Sequence, residues 1–174
     1  GSSPAHTNYA GPSRITRVQD SGSRPENGVA EAERLAEQVR DELTAAGLPV
    51  ASPGLAPELA IGAMVRVDAW NHHFHGEEIE VVVSWKVSSR LRSNAMRDAR
   101  QHQGVTPAIR QSGETQIAMA AAVIAILSAA GFTARDHDND MSPFDVRVLA
   151  GPEWGRRPAW GFPDEDLDPP SSAT

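Results

Sequence analysis

The sequence predicts an α+β fold, in which two helices pack on one face of an antiparallel sheet of about four strands, in the order α-β-β-α-β-β. Two apolar segments at helical spacing end in nearly the same motif, Leu-Thr-Ala-Ala-Gly and Leu-Ser-Ala-Ala-Gly. Segments in which apolar and polar residues alternate follow each of them, and such alternation is typical of strands with one buried face. Placing both helices on the same side of one sheet buries the apolar face of every element.

Length and composition divide the chain into three parts. Its 174 residues suffice for one core but not for two ordinary domains. Leu, Ile and Val lie almost entirely in residues 29–150, which we predict to form a single α+β domain. Residues 1–28 and 151–174 are poor in these side chains, so we predict an N-terminal tail that is disordered or held by a partner, and a C-terminal tail rich in Pro, Trp and acids. The sequence contains no cysteine, which excludes a disulfide scaffold and any thiolate site.

Periodicity places the first three elements. We predict an amphipathic helix over residues 29–47 and a hairpin with strands 64–70 and 79–87, whose tip is Asn-His-His-Phe-His-Gly-Glu-Glu. Glu80, Ser84 and Lys86 alternate with apolar residues and are expected on the face away from the core. The predicted buried residues are Val29, Ala32, Leu35, Ala36, Val39 and Leu43 of the helix, and Val65, Val67, Ala69, Ile79, Val81, Val83, Trp85 and Val87 of the hairpin.

The second half of the domain is predicted in the same way. We expect residues 88–113 to be a polar connector that holds a short helix over 91–103, followed by a second long helix that ends at Gly131. Strands are expected over 132–136 and 144–150, with Asp145 and Arg147 pointing to water and Phe144, Val146 and Val148 pointing to the core. The predicted apolar stripe of the long helix is Ile117, Ala121, Ile124, Leu127 and Ser128, widened by Ala118, Ala122 and Ala125.

Charge is distributed unevenly along the chain. The net charge is −7, yet residues 88–113 contain five arginines and one aspartate, a local balance of +4. Net acidity argues against general or sequence-specific nucleic-acid binding, whereas separation of the two signs favours complementary protein surfaces. We predict that this connector faces an acidic surface on another copy or on a partner. The interface residues that the sequence predicts are Arg90, Arg92, Arg97, Arg100, Trp154, Trp160 and Phe162.

Two clusters of imidazole and carboxylate side chains resemble metal sites in composition. The hairpin tip and the later acidic turn contain the ligand types that zinc, iron or calcium would use. Neighbouring residues of a strand point to opposite faces, and the acidic turn lacks the glycine and the late glutamate of an EF-hand, so a solvated tip and a polar turn explain both more simply. We predict no cofactor. The residues considered as ligands are His72, His73, His75, Asp136 and Asp138.

The end of the domain resembles a known family. An apolar helix ending in Ser-Ala-Ala-Gly-Phe, a short strand, an Arg-Asp-His-Asp turn and an alternating last strand are similar to the ending of siphophage tail-terminator proteins. The earlier helix and the long hairpin with Trp85 near its end fit the same order, so the resemblance covers residues 29–150. It implies a subunit that closes into a six-fold ring, caps the tail tube and meets the head connector. The resemblance leaves open minor tail and connector proteins that share such a plan.

These observations favour a non-catalytic assembly subunit. The sequence contains no nucleophile motif and no acid–base pair that would define a reaction. We therefore expect a ring-forming phage tail-terminator or head–tail connector protein, bound to its own copies and to neighbouring tail proteins. No targeting signal is evident, and the apolar run 117–127 is too short for a bilayer, so the expected location is a virion assembled in the cytoplasm. Two alternatives stay open: a cytoplasmic adaptor or immunity-type binder, and a metal-dependent hydrolase that uses the tip 72–78.

Overall fold

In a computed structural model, residues 25–68, 79–101, 104–137 and 142–161 are described. They form three helices and four strands: α1 (Pro25–Ala45), β1 (Gly62–Asp68), β2 (Glu80–Lys86), α2 (Ser89–Gln101), α3 (Pro107–Ala129), β3 (Thr133–Asp136) and β4 (Val146–Ala150). The four strands make one antiparallel sheet in the order β1-β2-β4-β3. The predicted α+β class and the predicted order of its elements are confirmed, with α2 as the short helix of the connector.

Helices α1 and α3 pack against each other and against one face of the sheet. This face carries alternate residues of each strand, because successive side chains of a strand point to opposite sides. In the register of β1 and β2, Val65 stands opposite Val83, and Val83 stands opposite Val146 on β4. The resulting core consists of Ala32, Ala36, Val39, Leu43, Ala63, Val65, Val81, Val83, Ala120, Val123, Leu127, Phe132, Val146 and Val148.

The repeated Ala-Ala-Gly motif forms the same helix end twice. Gly47 and Gly131 both have a positive φ, 82° and 89°. After α1, the amide of Leu48 donates to the carbonyl of Leu43 at 3.0 Å, and after α3 the amide of Phe132 donates to that of Leu127 at 2.9 Å. These are the hydrogen bonds of a Schellman cap, in which glycine takes the left-handed position. The predicted cap at Gly131 and the packing of Phe132 beyond it are both confirmed, since Phe132 is buried.

A close contact between Gly62 and the backbone of Pro49 fixes the start of β1. Gly62 has a φ of 86°, and a Cβ there would overlap the carbonyl of Pro49. The amide of Ala63 donates to that carbonyl at 2.8 Å, and the amide of Ala51 donates to the carbonyl of Ala63 at 2.8 Å. The segment that leaves α1 is thereby held beside the edge strand β1.

The predicted apolar stripe of α3 was partly wrong. The buried residues are Ala120, Val123 and Leu127, whereas Ile117, Ala118, Ala121 and Ala125 are exposed. The helix is so rich in alanine that nearly any face is apolar, and spacing alone does not select the one that meets the sheet. The buried stripe is therefore rotated relative to the predicted one.

Helix α3 is longer than the sheet beneath it. Its 23 residues correspond to about 34 Å, against about 23 Å for a seven-residue strand. All of its buried residues lie in its second half, which ends at the sheet in the cap at Gly131. Its first half contributes no buried residue, and α2 packs against the helix, with Asp98 bonded to Thr106 at its start. By length and apolar composition α3 could also cross a membrane, a criterion that core helices of globular domains meet as well.

The described part of the C-terminal segment, residues 151–161, runs along α1. The side-chain amide of Gln38 donates to the carbonyl of Pro152 at 3.4 Å, and the indole nitrogen of Trp160 donates to the Glu42 carboxylate at 2.8 Å. Gly151 lies so close to Leu35 that a Cβ would stand 2.8 Å from its methyl carbon. The segment is thus attached to the domain at the beginning and near the end of its described length.

Candidate interaction surfaces

The first candidate surface is a helical hairpin, made of α2 and the first half of α3 (residues 89–101 and 104–119), which we call the basic hairpin. Thr106 caps α3, accepting from the amide of Ile109 at 3.4 Å, and its hydroxyl donates to Asp98 of α2 at 2.7 Å. Within α2, whose residues are all described, none is buried. The basic hairpin therefore contributes little to the core and presents most of its surface outward.

The four arginines predicted on α2 have two different roles. Arg90, Arg97 and Arg100 are exposed, and Arg97 donates to the Asn94 side chain at 3.2 Å. Arg92 is half-buried instead, with one nitrogen donating to the carbonyl of Ala60 at 3.0 Å and the other to the carbonyl of Glu58. Arg92 thus anchors α2 to the loop before β1, and three arginines are left to face a partner.

Large apolar side chains accompany these arginines on the surface. Met96 is 52% exposed, Val105 65% and Ile117 56%. Single exposed apolar residues are ordinary, but these three belong to one small substructure that also contains four exposed arginines, Arg90, Arg97, Arg100 and Arg110. Helical spacing had predicted Ile117 in the core, so this combination could not be predicted from the sequence.

The second candidate surface is the outer side of α1, which we call the acidic face. Its residues Glu31, Glu33, Glu37 and Asp41 are all exposed, and Arg34 is the exposed base among them. Arg40, half-buried, lies 4.0 Å from Glu33. Among the described elements, α3 packs against both α1 and α2, while α1 and α2 scarcely touch. Charges of opposite sign therefore lie apart on the same molecule.

On the open face of the sheet, opposite the helices, charged side chains form ion pairs with each other instead of pointing separately into solvent. A nitrogen of Arg66 lies 2.6 Å from Asp145, and Glu80 lies 2.6 Å from Arg147 and 3.3 Å from the His137 ring. The expectation that Asp145 and Arg147 point to water was therefore wrong. Asp145 is only 8% exposed, because the arginine from the edge strand covers it.

Two further polar groups lie on this open face. Burial of its ammonium lowers the pKa of Lys86 below the usual 10.5, and the positive charges of Arg66 and Arg92 act in the same direction while Asp145 opposes them. The Ser84 hydroxyl has no hydrogen-bond partner, and Ser84 is 3% exposed. The open face therefore carries a partly buried ammonium and a buried hydroxyl in addition to its ion pairs.

The residues considered as metal ligands fall mostly outside the described ranges. His72, His73, His75 and Asp138 lie there, and Asp136 is exposed on β3. Within the part of the chain that the structure describes, no group of three or more His, Cys, Asp or Glu side chains is placed to hold a metal ion.

The aromatic side chains of the C-terminal segment are only partly covered by contacts within the chain. Trp160 is held on α1 by Glu42, yet Trp160 and Trp154 are both about half exposed. Phe162 lies outside the described residues. Two large aromatic side chains of this segment are therefore partly exposed to solvent.

Comparison of this chain with protein-family models, curated proteins and solved structures finds no match. The fold and these surfaces are therefore the basis for inferring its role.

Proposed function

We propose that this protein is a non-catalytic structural subunit that assembles with its own copies into a ring, as a phage tail terminator or a head–tail connector. The observation that carries the proposal is the separation of two complementary surfaces. The basic hairpin and the acidic face lie on helices that scarcely touch each other. A contact between two unlike patches leaves one patch of each kind free, so it propagates, and it closes into a ring when the rotation from one subunit to the next completes a circle.

The composition of the surfaces supports this proposal. Interfaces combine an apolar centre with a charged rim, and aromatic, Met and Arg side chains are enriched in them. The basic hairpin supplies exposed arginines with Met96 and Ile117. Helix α1 supplies exposed acids, and the segment attached to it carries two half-exposed tryptophans. The element order that resembles the tail-terminator family points to the same class of role.

Light scattering of the purified full chain, combined with electron microscopy of negatively stained particles, tests the proposal. We expect a concentration-dependent mass several times that of the monomer, and closed rings in the images. A strict monomer over the whole accessible concentration range would contradict it. Retention of one soluble protein in a one-to-one complex would favour the adaptor or immunity-type role, and stoichiometric metal retained after dialysis would favour the hydrolase.

A further inference from the structure

We infer that the basic hairpin of one copy docks on the acidic face of α1 in a second copy. This inference rests on the proposed function, because it names the contact through which the subunits would assemble. It also assigns separate roles to the arginines of α2: Arg90, Arg97 and Arg100 face the neighbour, while Arg92 holds the hairpin to its own domain.

The spacing of the charges on the two helices is compatible. Glu33, Glu37 and Asp41 recur every four residues and form one line of about 12 Å along α1. Arg90, Arg97 and Arg100 cover about 15 Å along α2. Two helices that lie side by side can therefore bring a line of acids against a line of bases of nearly the same length.

Apolar side chains lie next to the line of arginines. Met96 is one turn of α2 from Arg100, and Ile117 is exposed on the helix against which α2 packs. Burying these side chains against the second copy would give the charged contact an apolar centre. On α1, Trp160 is attached to Glu42, which stands about 100° around the helix from Asp41, so it lies outside the line of acids.

A second copy is the partner that the observations favour. Within one chain, α3 packs against both α1 and α2, and these two helices scarcely touch. The basic hairpin and the acidic face can therefore contact each other only between different molecules. A nucleic-acid partner would account for the arginines alone. It would leave the acidic face without a role, the chain has a net charge of −7, and α2 offers no aromatic side chain for base stacking.

Two charge-reversed variants of the full chain test this contact. The hairpin variant contains Arg90→Glu, Arg97→Glu and Arg100→Glu, and the α1 variant contains Glu33→Lys, Glu37→Lys and Asp41→Lys. Each variant alone brings like charges together, so we expect its assembly to weaken by at least about tenfold in dissociation constant. An equimolar mixture restores opposite charges at every contact, and we expect it to assemble with the two variants in equal numbers.

A third variant controls for net charge. Arg135→Glu changes the charge by the same amount as Arg97→Glu alone, but at an exposed position on β3, outside both surfaces. It should assemble like the wild type. Circular dichroism and melting curves establish that each variant is folded. Should a reversed variant fail to fold, the milder set Arg90→Gln, Arg97→Gln and Arg100→Gln replaces it, with weaker assembly and a smaller salt dependence as the expected result.

The possible outcomes separate this inference from the proposed function. If the wild type assembles and the reversed variants assemble equally well, the docking is overturned and the ring proposal stands. If the wild type and the equimolar mixture both stay monomeric, both fall. A labelled duplex DNA that binds the wild type and not the hairpin variant, with assembly unchanged, would show that the arginines serve nucleic acid and would overturn the docking as well.

Discussion

Arg66 on the edge strand β1 donates a hydrogen bond to Asp145 at 2.6 Å, on the open face of the sheet. Strand β2 lies between β1 and β4, so this pair links one edge of the sheet to the strand beyond its neighbour. Val82 stands in register with Arg66 on one side and with Arg147 on the other, and it is buried although it faces away from the helices. The charged side chains of the two arginines thus flank an apolar residue, as long basic side chains commonly do.

Substitutions of the two residues of this pair are expected to destabilise the domain by different amounts. Asp145→Asn should lower the free energy of unfolding by about 2 kcal/mol, because the carboxylate is buried and Arg66 loses its charged partner. Arg66→Met keeps an apolar stem and should cost about 1 kcal/mol. Urea unfolding followed by circular dichroism measures both. The exposed Asp41→Asn should change stability by less than about 0.5 kcal/mol, and an equal loss in Asp41→Asn and Asp145→Asn would contradict the prediction.

The two glycine turns around the first loop should respond differently to a methyl group. Gly62→Ala places a Cβ onto the carbonyl of Pro49 in addition to forcing a left-handed backbone, so we expect a loss of at least about 3 kcal/mol or an unfolded chain. Gly54 has a φ of 76° with nothing within 4 Å, so Gly54→Ala should cost only about 1 kcal/mol of backbone strain. Thermal melting compares them, and equal losses would mean that the contact with Pro49 is unimportant.

The anchoring arginine should be separable from its exposed neighbours. Arg92→Met removes the donors to the carbonyls of Ala60 and Glu58, and we expect a loss of about 1–2 kcal/mol in the free energy of unfolding. Arg97→Met is the matched control, since its one described hydrogen bond joins two residues of the same helix surface, and it should stay within about 0.5 kcal/mol. Chemical denaturation at high salt, which weakens association, gives both values. A larger loss for Arg97→Met than for Arg92→Met would contradict the prediction that Arg92 holds α2 to the domain.

Because the pKa of Lys86 is lowered, we expect that replacing this lysine raises the free energy of unfolding by an amount that depends on pH. Its pKa in the folded state is lowered, so between that value and 10.5 the unfolded chain binds more protons and stability rises with pH. Burying the charged ammonium therefore lowers the free energy of unfolding by its full amount at neutral pH, and this loss becomes smaller as the pH rises towards 10.5. Lys86→Met should stabilise the domain at neutral pH by about 0.5 kcal/mol at most, since Lys86 is partly exposed and Asp145 favours its charge.

Urea unfolding at neutral pH and near pH 10 checks this trend. The gain from Lys86→Met should shrink at the higher pH. Arg90→Met serves as the control, because arginine stays charged at both values and its replacement should show no such trend. A gain that grows with pH would contradict the predicted direction.

Features that depend on neighbouring residues could be predicted from the sequence. The two Schellman caps need only a glycine after a helical segment and an apolar residue beyond it, and both were found where the motif indicated. The alternation of Val81 and Val83 with Glu80 and Ser84 assigned the correct face of β2. The helix of the connector was also placed correctly to within a few residues, at Ser89–Gln101.

Features that depend on distant residues could not be predicted in this way. Asp145 looked like an outward-facing acid, and its burial follows from Arg66, which is 79 positions earlier in the sequence. Arg92 looked like one more surface arginine, and its partners Ala60 and Glu58 lie across a loop. The orientation of α3 was missed for a related reason, since an alanine-rich helix carries too little contrast to define its buried side without the sheet.

Helix α3 joins two regions of very different environment without a break. Leu127 is fully enclosed by the core, whereas Ile117 stands in solvent ten residues earlier on the same helix. A continuous helix behaves as a rigid rod over this distance, so the hairpin cannot swing freely relative to the sheet. In an assembly built through the basic hairpin, the angle at which this rod leaves the sheet would fix the turn from one subunit to the next. The number of subunits per ring would then be encoded in the packing of Ala120, Val123 and Leu127, residues that never meet a neighbour.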